Sequence, residues 1–216
     1  MVVVMAGGRS EWVTTTHDWS SSLDSDHIRF VRRHADRYAR GGPLHLLLEV
    51  VAYADDEARE QNRTGRCNII LFADGSIRVE DDGRGTDTRI DVDGAPVRKP
   101  IMSTKDVRFF AAEPPVLLPD GLPRRGASVV SALSDWLHHL NRRSDRAWEQ
   151  RYELGRPTGP LAEVAAPAVG TGTTVTFHLD PTLVPATRLT ADIVQDAARF
   201  PSLVVRCVVE ASQPRV

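Results

Sequence analysis

The residues best suited to chemistry fall in three places. The first is Val79-Glu80-Asp81-Asp82-Gly83-Arg84-Gly85, where acidic side chains close an apolar run and two glycines follow, one residue apart. A carboxylate can accept a hydrogen bond from a ligand, and glycine lets the backbone come close to that ligand. Taken alone, the motif is also what an ordinary acidic turn looks like. The second is Gly170-Thr171-Gly172-Thr173-Thr174-Val175-Thr176-Phe177, a glycine turn entering a β-branched run, a common construction with or without a ligand. The third is a stripe of Glu49, Tyr53 and Asp56, which stand at i, i+4 and i+7 of a helical pattern and share one face. An acidic helix face of this kind is usually just solvated.

Several other chemistries are excluded. A calcium loop through Asp91, Asp93 and Gly94 fails, because setting Gly94 at its sixth position puts Arg89 first and Pro100 last, where carboxylates are required. There is no Gly-x-x-x-x-Gly-Lys-Ser/Thr run, which removes a P-loop as phosphate site. His-Glu-x-x-His, Cys-x-x-Cys and Gly-x-Ser-x-Gly are absent too. The seven histidines, the pair His138-His139 included, show no ligand spacing and read as surface or structural residues. No metal ligand is assigned.

The elements that must position these residues are legible in outline. Residues 1–26 read as a flexible arm, polar and rich in Ser, Thr and Asp from residue 7 onward. Periodicity begins at Ile28, Phe30 and Val31. Apolar residues at 44, 47, 48, 51, 52 and 54 predict a helix over residues 44–58 with one buried face. Two β-rich runs, 67–72 and 76–80, flank Ala73-Asp74-Gly75 and predict a hairpin. Residues 86–125 carry many prolines and little periodicity, as a functional or disordered loop does. Val129, Val130, Leu133 and Leu137 predict a second helix over residues 126–139. Strands are expected near 148–154 and 173–179, a helix at 191–199 and a last strand at 203–210. The chain thus reads as one α+β domain over residues 27–211, helices on one mixed sheet, with 212–216 as a tail.

Bulk properties agree. The 216 residues are 41% hydrophobic and 26% charged, an ordinary globular mixture. A net charge of -2 gives no field that would draw the chain to DNA or to anionic lipid. No apolar run is long enough to span a bilayer, and residues 1–6 are too short and lack a basic start for an export signal. Cys67 and Cys207, both in apolar contexts, read as buried reduced thiols, which suits the cytoplasm. Of the 27 basic residues only Lys99 and Lys105 are lysines.

In combination the three motifs carry more than they do singly. The order acidic helix, hairpin, Asp-Asp-Gly-Arg-Gly, long loop, helix and Gly-Thr strand resembles the N-terminal ATPase domain of the gyrase B and topoisomerase IV B proteins, in the GHKL superfamily. Leu44-His45 and Glu49-Val50-Val51 resemble that family's entry to its first nucleotide helix. Ser128-Val-Val-Ser-Ala-Leu-Ser134 resembles its Ser-Val-Val-Asn-Ala-Leu-Ser. Tyr152-Glu153, Gly155 and Pro157 match its Tyr-Glu-x-Gly-x-Pro, and Gly172-Thr173-x-Val175-x-Phe177 its last motif.

The resemblance implies a two-layer α/β sandwich of the GHKL (Bergerat) type, helices on one face of a mainly antiparallel sheet. It implies that Asp81 accepts a hydrogen bond from an adenine amino group and that Thr173 bonds to Asp81. Gly83 and Gly85 would let the backbone approach the base, while Val50, Val79 and Val175 line its slot. Asp56 would join the adenine network, Glu57 and Arg84 would pair across the pocket floor, and Arg143 would sit at the mouth, where family members bind aminocoumarin inhibitors. Glu49 would be the general base for ATP hydrolysis.

Two departures weaken the phosphate side. The family's magnesium-binding Asn falls at Tyr53, and a phenol cannot replace an amide oxygen for a cation that demands compact octahedral ligands; Asp55 or Asp56 could hold a displaced ion, although Asp56 already has a counterpart in the family's adenine network. The family's glycine lid reads Asp120-Gly121-Leu122-Pro123-Arg124-Arg125-Gly126. Pro123 removes an N–H and Arg124 adds a side chain where glycine is needed, leaving Arg124 and Arg125 to bind phosphate by charge, with Gly121 and Gly126 as the lid glycines beside them. The parts of the family that transduce, bind metal and cleave DNA are not expected here, so topoisomerase activity and direct DNA binding are not either. Three functions follow in order: an ATP- or ADP-binding domain with little turnover, open to aminocoumarin-like ligands; a divergent magnesium-dependent ATPase using Glu49; and a regulatory module that forms a homodimer or contacts a gyrase-related partner.

Overall fold

A computed structural model describes residues 12–165 and 170–214. The chain enters through α1 (Ser25–Arg33) and α2 (Ala35–Tyr38). Asp24 starts α1, its carboxylate accepting from the His27 amide at 2.9 Å. Helix α3 (Gly42–Glu60) carries Pro43 in its first turn, where a missing N–H costs nothing. Its Leu47, Val51, Ala54 and Ala58 recur at helical spacing and are buried. Leu48 and Ala52 fill a second, smaller cluster with Leu118 and Ala198.

Strands β1 (Gly65–Phe72) and β2 (Ile77–Asp81) pair antiparallel, with Leu71 opposite Ile77. The loop turns at Asp74, whose carboxylate accepts from the Ser76 amide at 3.0 Å, and at Gly75, whose φ of 88° suits glycine. β3 (Thr88–Ile90) and β4 (Pro96–Arg98) form a separate two-stranded ribbon. Then come α4 (Ala127–Ala132), β5 (Ser134–Arg142), β6 (Ala147–Glu153), β7 (Arg156–Pro157), β8 (Ala162–Val164), β9 (Gly172–Leu179), α5 (Ala191–Ala197) and β10 (Leu203–Glu210). The main sheet has eight strands in the order β10-β1-β2-β9-β5-β6-β7, with β8 beside β6. Among the described residues only β1 and β10 pair parallel. The helices pack on this mixed sheet around one core that joins Val51 and Val130 to Ile69, Val79, Leu137 and Phe177, the α+β sandwich expected.

Two regions differ from expectation. The helix expected over residues 126–139 stops at Ala132, and the chain continues as β5 between β9 and β6. Spacing of four fits a helix face, but Leu137, His139 and Asn141 also alternate inward as a strand does. The sheet needs a strand between β9 and β6, and that pairing decides the conformation. In the stretch expected as a flexible arm, the described part is packed: His17 and Trp19 are buried, and Thr16 O accepts from the Val107 amide at 2.9 Å. Cys67 and Cys207 are free and buried, and burial pushes the Cys207 thiol up to about 11. Among the described residues no helix is long and apolar enough to cross a membrane.

Candidate functional site

A cavity of about 440 Å³ opens between α3 and the sheet. Its polar anchor is Asp81, at the end of β2. Asp81 Oδ1 accepts from the Gly83 amide at 2.8 Å and the Thr173 amide at 3.2 Å, and Oδ2 accepts from the Thr173 hydroxyl. Burial raises the Asp81 pKa, and the bonds from Thr173 and Gly83 oppose that rise. Gly172 makes the contact feasible, because a Cβ there would lie 2.0 Å from the Asp81 carbonyl oxygen. Val50 from α3, Val79 from β2 and Val175 from β9 form apolar walls, completed by Ile101, Met102 and Ala127.

One rim is built from ion pairs. Arg84 Nε lies 2.6 Å and Nη2 3.0 Å from the two Glu57 oxygens. Burial alone would raise the Glu57 pKa, but Arg84 outweighs it and holds the carboxyl below its ordinary value. Half-exposed Arg84 contributes orientation here more than stability. The fully buried Asn141 brackets Thr86, accepting from its amide at 2.7 Å and donating to its carbonyl at 2.9 Å. Gly85, with φ of 82°, passes so close that a Cβ would be 2.6 Å from Asn141 Oδ1. Arg143 lines the cavity and donates to the Gly85 carbonyl at 3.3 Å.

The opposite end is closed. Tyr53 lines the cavity, and its hydroxyl donates to Asp106 at 2.9 Å and accepts from the Ala127 amide at 3.3 Å. Arg108 holds the buried Asp106 through bonds of 3.0 and 2.7 Å. The Asp55 carboxylate is used by the Ser202 amide at 2.8 Å. Asp56 lines the cavity, but Arg59 at 2.5 Å and Arg124 at 2.9 Å hold it, so it joins no hydrogen bond with Asp81. Among the described residues no three His, Cys, Asp or Glu side chains are grouped to hold a metal ion.

Several expected site residues are placed elsewhere. Glu49 is fully buried and does not line the cavity. Its oxygens accept from the backbone amides of Arg125 at 2.5 Å and Gly126 at 2.8 Å. Burial raises its pKa, opposed first by the Gly126 amide. The two lid arginines do not line the cavity either. The Arg124 guanidinium sits 3.9 Å from the Phe109 ring centroid, and Arg125 donates to the Phe109 and Phe110 carbonyls at 3.2 and 2.7 Å. Gly121 forms a turn with φ of 78°, and Gly126 precedes α4 with φ of 103°. Both arginines are bonded within the chain, Arg124 to Asp56 and Arg125 to the Phe109 and Phe110 carbonyls.

Sequence reasoning missed His17, Lys99, Arg108 and His139, which all line the cavity. Burial lowers the His17 pKa to about 4, so its imidazole is neutral. Asn141 was also missed, and no local signal marks it.

No protein-family profile matches the chain. It is 33% identical over 162 residues to the DNA gyrase B protein of Thermotoga maritima, covering 73% of this chain and 25% of that protein. It is 35% identical over 146 residues to the DNA gyrase B protein of Mycobacterium tuberculosis, covering 68% and 21%. The DNA topoisomerase 4 B protein of Enterococcus faecalis is 31% identical over 168 residues, covering 77% and 24%. The chain spans a quarter or less of the length of these relatives. Among solved structures, the topoisomerase IV ATP-binding domain of Francisella tularensis, in complex with a small-molecule inhibitor, superposes with a TM-score of 0.61 at 22% identity. That match covers 78% of this chain and 82% of the other.

Proposed function

Because this chain belongs with the ATP-binding domains of the gyrase B and topoisomerase IV B proteins, we propose that it binds an adenine nucleotide, ATP or ADP, with little or no turnover. The observation that carries this reading is the Asp81 carboxylate, held by Thr173 and Gly83 at the end of a slot walled by Val50, Val79 and Val175. An apolar slot with one oriented acceptor suits a flat heterocycle bearing an amino group. The phosphate end supports the second half of the reading. The Tyr53 hydroxyl, at the position where the resemblance expects a metal ligand, is bonded to Asp106, both Glu49 oxygens accept the amides of Arg125 and Gly126, and positioned charge is what phosphoryl transfer depends on.

Calorimetric titration with ADP and ATP, each with and without magnesium, tests this. Closely similar affinities for both nucleotides, unchanged by magnesium, are expected. The absence of heat with every nucleotide would overturn the reading and favour a regulatory scaffold that forms a homodimer or contacts a gyrase-related partner. Magnesium-dependent tightening of ATP with phosphate release would favour the divergent ATPase.

A second ligand class is favoured by Arg143, which lines the cavity mouth beside Asp81, Arg84 and Thr173. An aminocoumarin-like inhibitor needs these groups and neither metal nor lid, so the protein would sequester such compounds. Novobiocin is expected to bind competitively with ADP. No binding at high micromolar novobiocin would remove this second reading.

A further inference from the structure

The charged side chains that line the main cavity are nearly all paired within the chain. Asp56 has Arg59 and Arg124, Glu57 and Glu60 share Arg84, and Asp87 lies 3.9 Å from Arg89 and 4.0 Å from Arg143. Arg108 has Asp106. Lys99 is the exception. It lines the cavity, yet among the described residues no carboxylate is within ion-pair distance of it and no group accepts a hydrogen bond from its ammonium. Its backbone is fixed all the same. The Lys99 amide donates to the Asp87 carbonyl at 3.1 Å, and its carbonyl accepts from the Ile101 amide at 2.9 Å.

Lys99 is half-buried, and its ammonium is unpaired without being sealed from solvent. A cation in such a place loses part of its hydration, and an anion returns what is lost. Burial lowers the Lys99 pKa and the nearby Arg108 lowers it further, while Asp106 and Asp87 oppose the fall. Neither acid is free to neutralise it. Asp106 is held by Arg108 and by the Tyr53 hydroxyl, and Asp87 stands between Arg89 and Arg143. The lid arginines are bonded elsewhere, which leaves Lys99 as the cation on the cavity wall with unused donors. An ammonium holds phosphate as a point charge with rotatable donors, so it needs neither a metal nor a lid of fixed geometry.

We propose that Lys99 is the phosphate-binding residue of this cavity, holding a phosphate of an adenine nucleotide directly and without magnesium. This role rests on the adenine reading above for the rest of the ligand. It narrows the ligand class to nucleotides, as against free nucleosides or neutral heterocycles.

Adenosine, AMP and ADP, titrated calorimetrically without magnesium into wild type, Lys99→Met and Lys105→Met, test this. Methionine fills a similar length without the charge, and Lys105 is exposed and does not line the cavity. In wild type and Lys105→Met, AMP and ADP are expected to bind about tenfold or more tightly than adenosine, the size of one charge-assisted hydrogen bond. In Lys99→Met all three are expected to converge on the wild-type adenosine affinity. Adenosine that matches ADP in the wild type, or an ADP advantage that survives Lys99→Met, would overturn the proposal and leave the adenine reading standing. If none of the three binds, the adenine reading fails, and pyrophosphate decides the anion site by itself. The chain has only two lysines, Lys99 and Lys105, so carbon-13 at lysine Cε gives two resonances, told apart by Lys105→Met. Pyrophosphate is expected to shift the Lys99 resonance and raise its titration toward the ordinary lysine range, and chloride at equal ionic strength is not. Should Lys99→Met fail to fold, the same resonance in the wild type decides, with its titration raised by ADP and not by adenosine. A Lys99 signal that neither pyrophosphate nor ADP moves would overturn the proposal.

Discussion

Asp81→Asn is expected to weaken ADP binding about ten- to hundredfold while leaving the fold largely intact. The carboxylate is the one oriented acceptor that the slot offers an adenine amino group, and a hydrogen bond to a charged group contributes ~1.5–3 kcal/mol, at 1.4 kcal/mol per tenfold. In the variant, the amide oxygen can take the Oδ1 position and keep the Gly83 and Thr173 amides satisfied. The amide nitrogen then occupies the Oδ2 position, where Thr173 reverses its hydroxyl and the ligand amino group meets a donor instead of an acceptor. Binding falls and the melting temperature barely moves. A pH series on the wild type reads the same group. Because burial raises the Asp81 pKa, ADP affinity is expected to fall while pH is still above the ordinary carboxylate range. Stability moves the other way: a carboxyl with a raised folded pKa binds its proton more readily in the native state, so its desolvation penalty is relieved as pH drops through that raised value. Calorimetry and melting curves on both proteins check this, and equal ADP affinity in Asp81→Asn would sink the assignment.

The parts of this site that were legible in the sequence are those whose residue types are imposed by local backbone geometry. Gly83, Gly85 and Gly172 stand where a Cβ meets neighbouring atoms at 2.7, 2.6 and 2.0 Å, so their spacing around Asp81 and Thr173 carries structural information. The hairpin at Asp74-Gly75 is legible for the same reason. What sequence could not give is the direction of long side chains and the choices made by distant pairing. Arg124 and Arg125 suggest phosphate by charge, but Phe109, Phe110 and Asp56 capture their guanidinium groups from other parts of the chain. Tyr53 is visible as a departure, whereas its partner Asp106 lies in an irregular loop with no periodicity to place it. Strand β5 is the clearest case. Its inward residues Leu137, His139 and Asn141 satisfy the sheet, yet four-residue spacing upstream reads as a continuing helix, and only pairing with β9 and β6 separates the two.

Glu49→Ala is expected to lower stability sharply without lowering ADP affinity, the opposite pattern from Asp81→Asn. A helical Glu in the family position of a general base invites a catalytic reading, but both oxygens of Glu49 accept backbone amides just ahead of α4. Alanine leaves the Arg125 and Gly126 N–H groups without an acceptor beside a helix start that has no side-chain cap, and also leaves a buried void. Unsatisfied buried donors cost ~1–3 kcal/mol each, so a loss of about 3–5 kcal/mol is expected. At roughly 2–4 °C per kcal/mol for a chain of this size, the melting temperature drops by about 6–20 °C. Glu49→Gln keeps one oxygen for one amide and is expected to fall between alanine and wild type. Melting curves, ADP titrations and phosphate-release assays on the three proteins form one experiment. If Glu49→Ala melts with the wild type while phosphate release disappears, Glu49 is a catalytic base and the protein turns over ATP. If it melts far below the wild type, binds ADP equally and leaves phosphate release at background, Glu49 serves as the clasp between α3 and the start of α4.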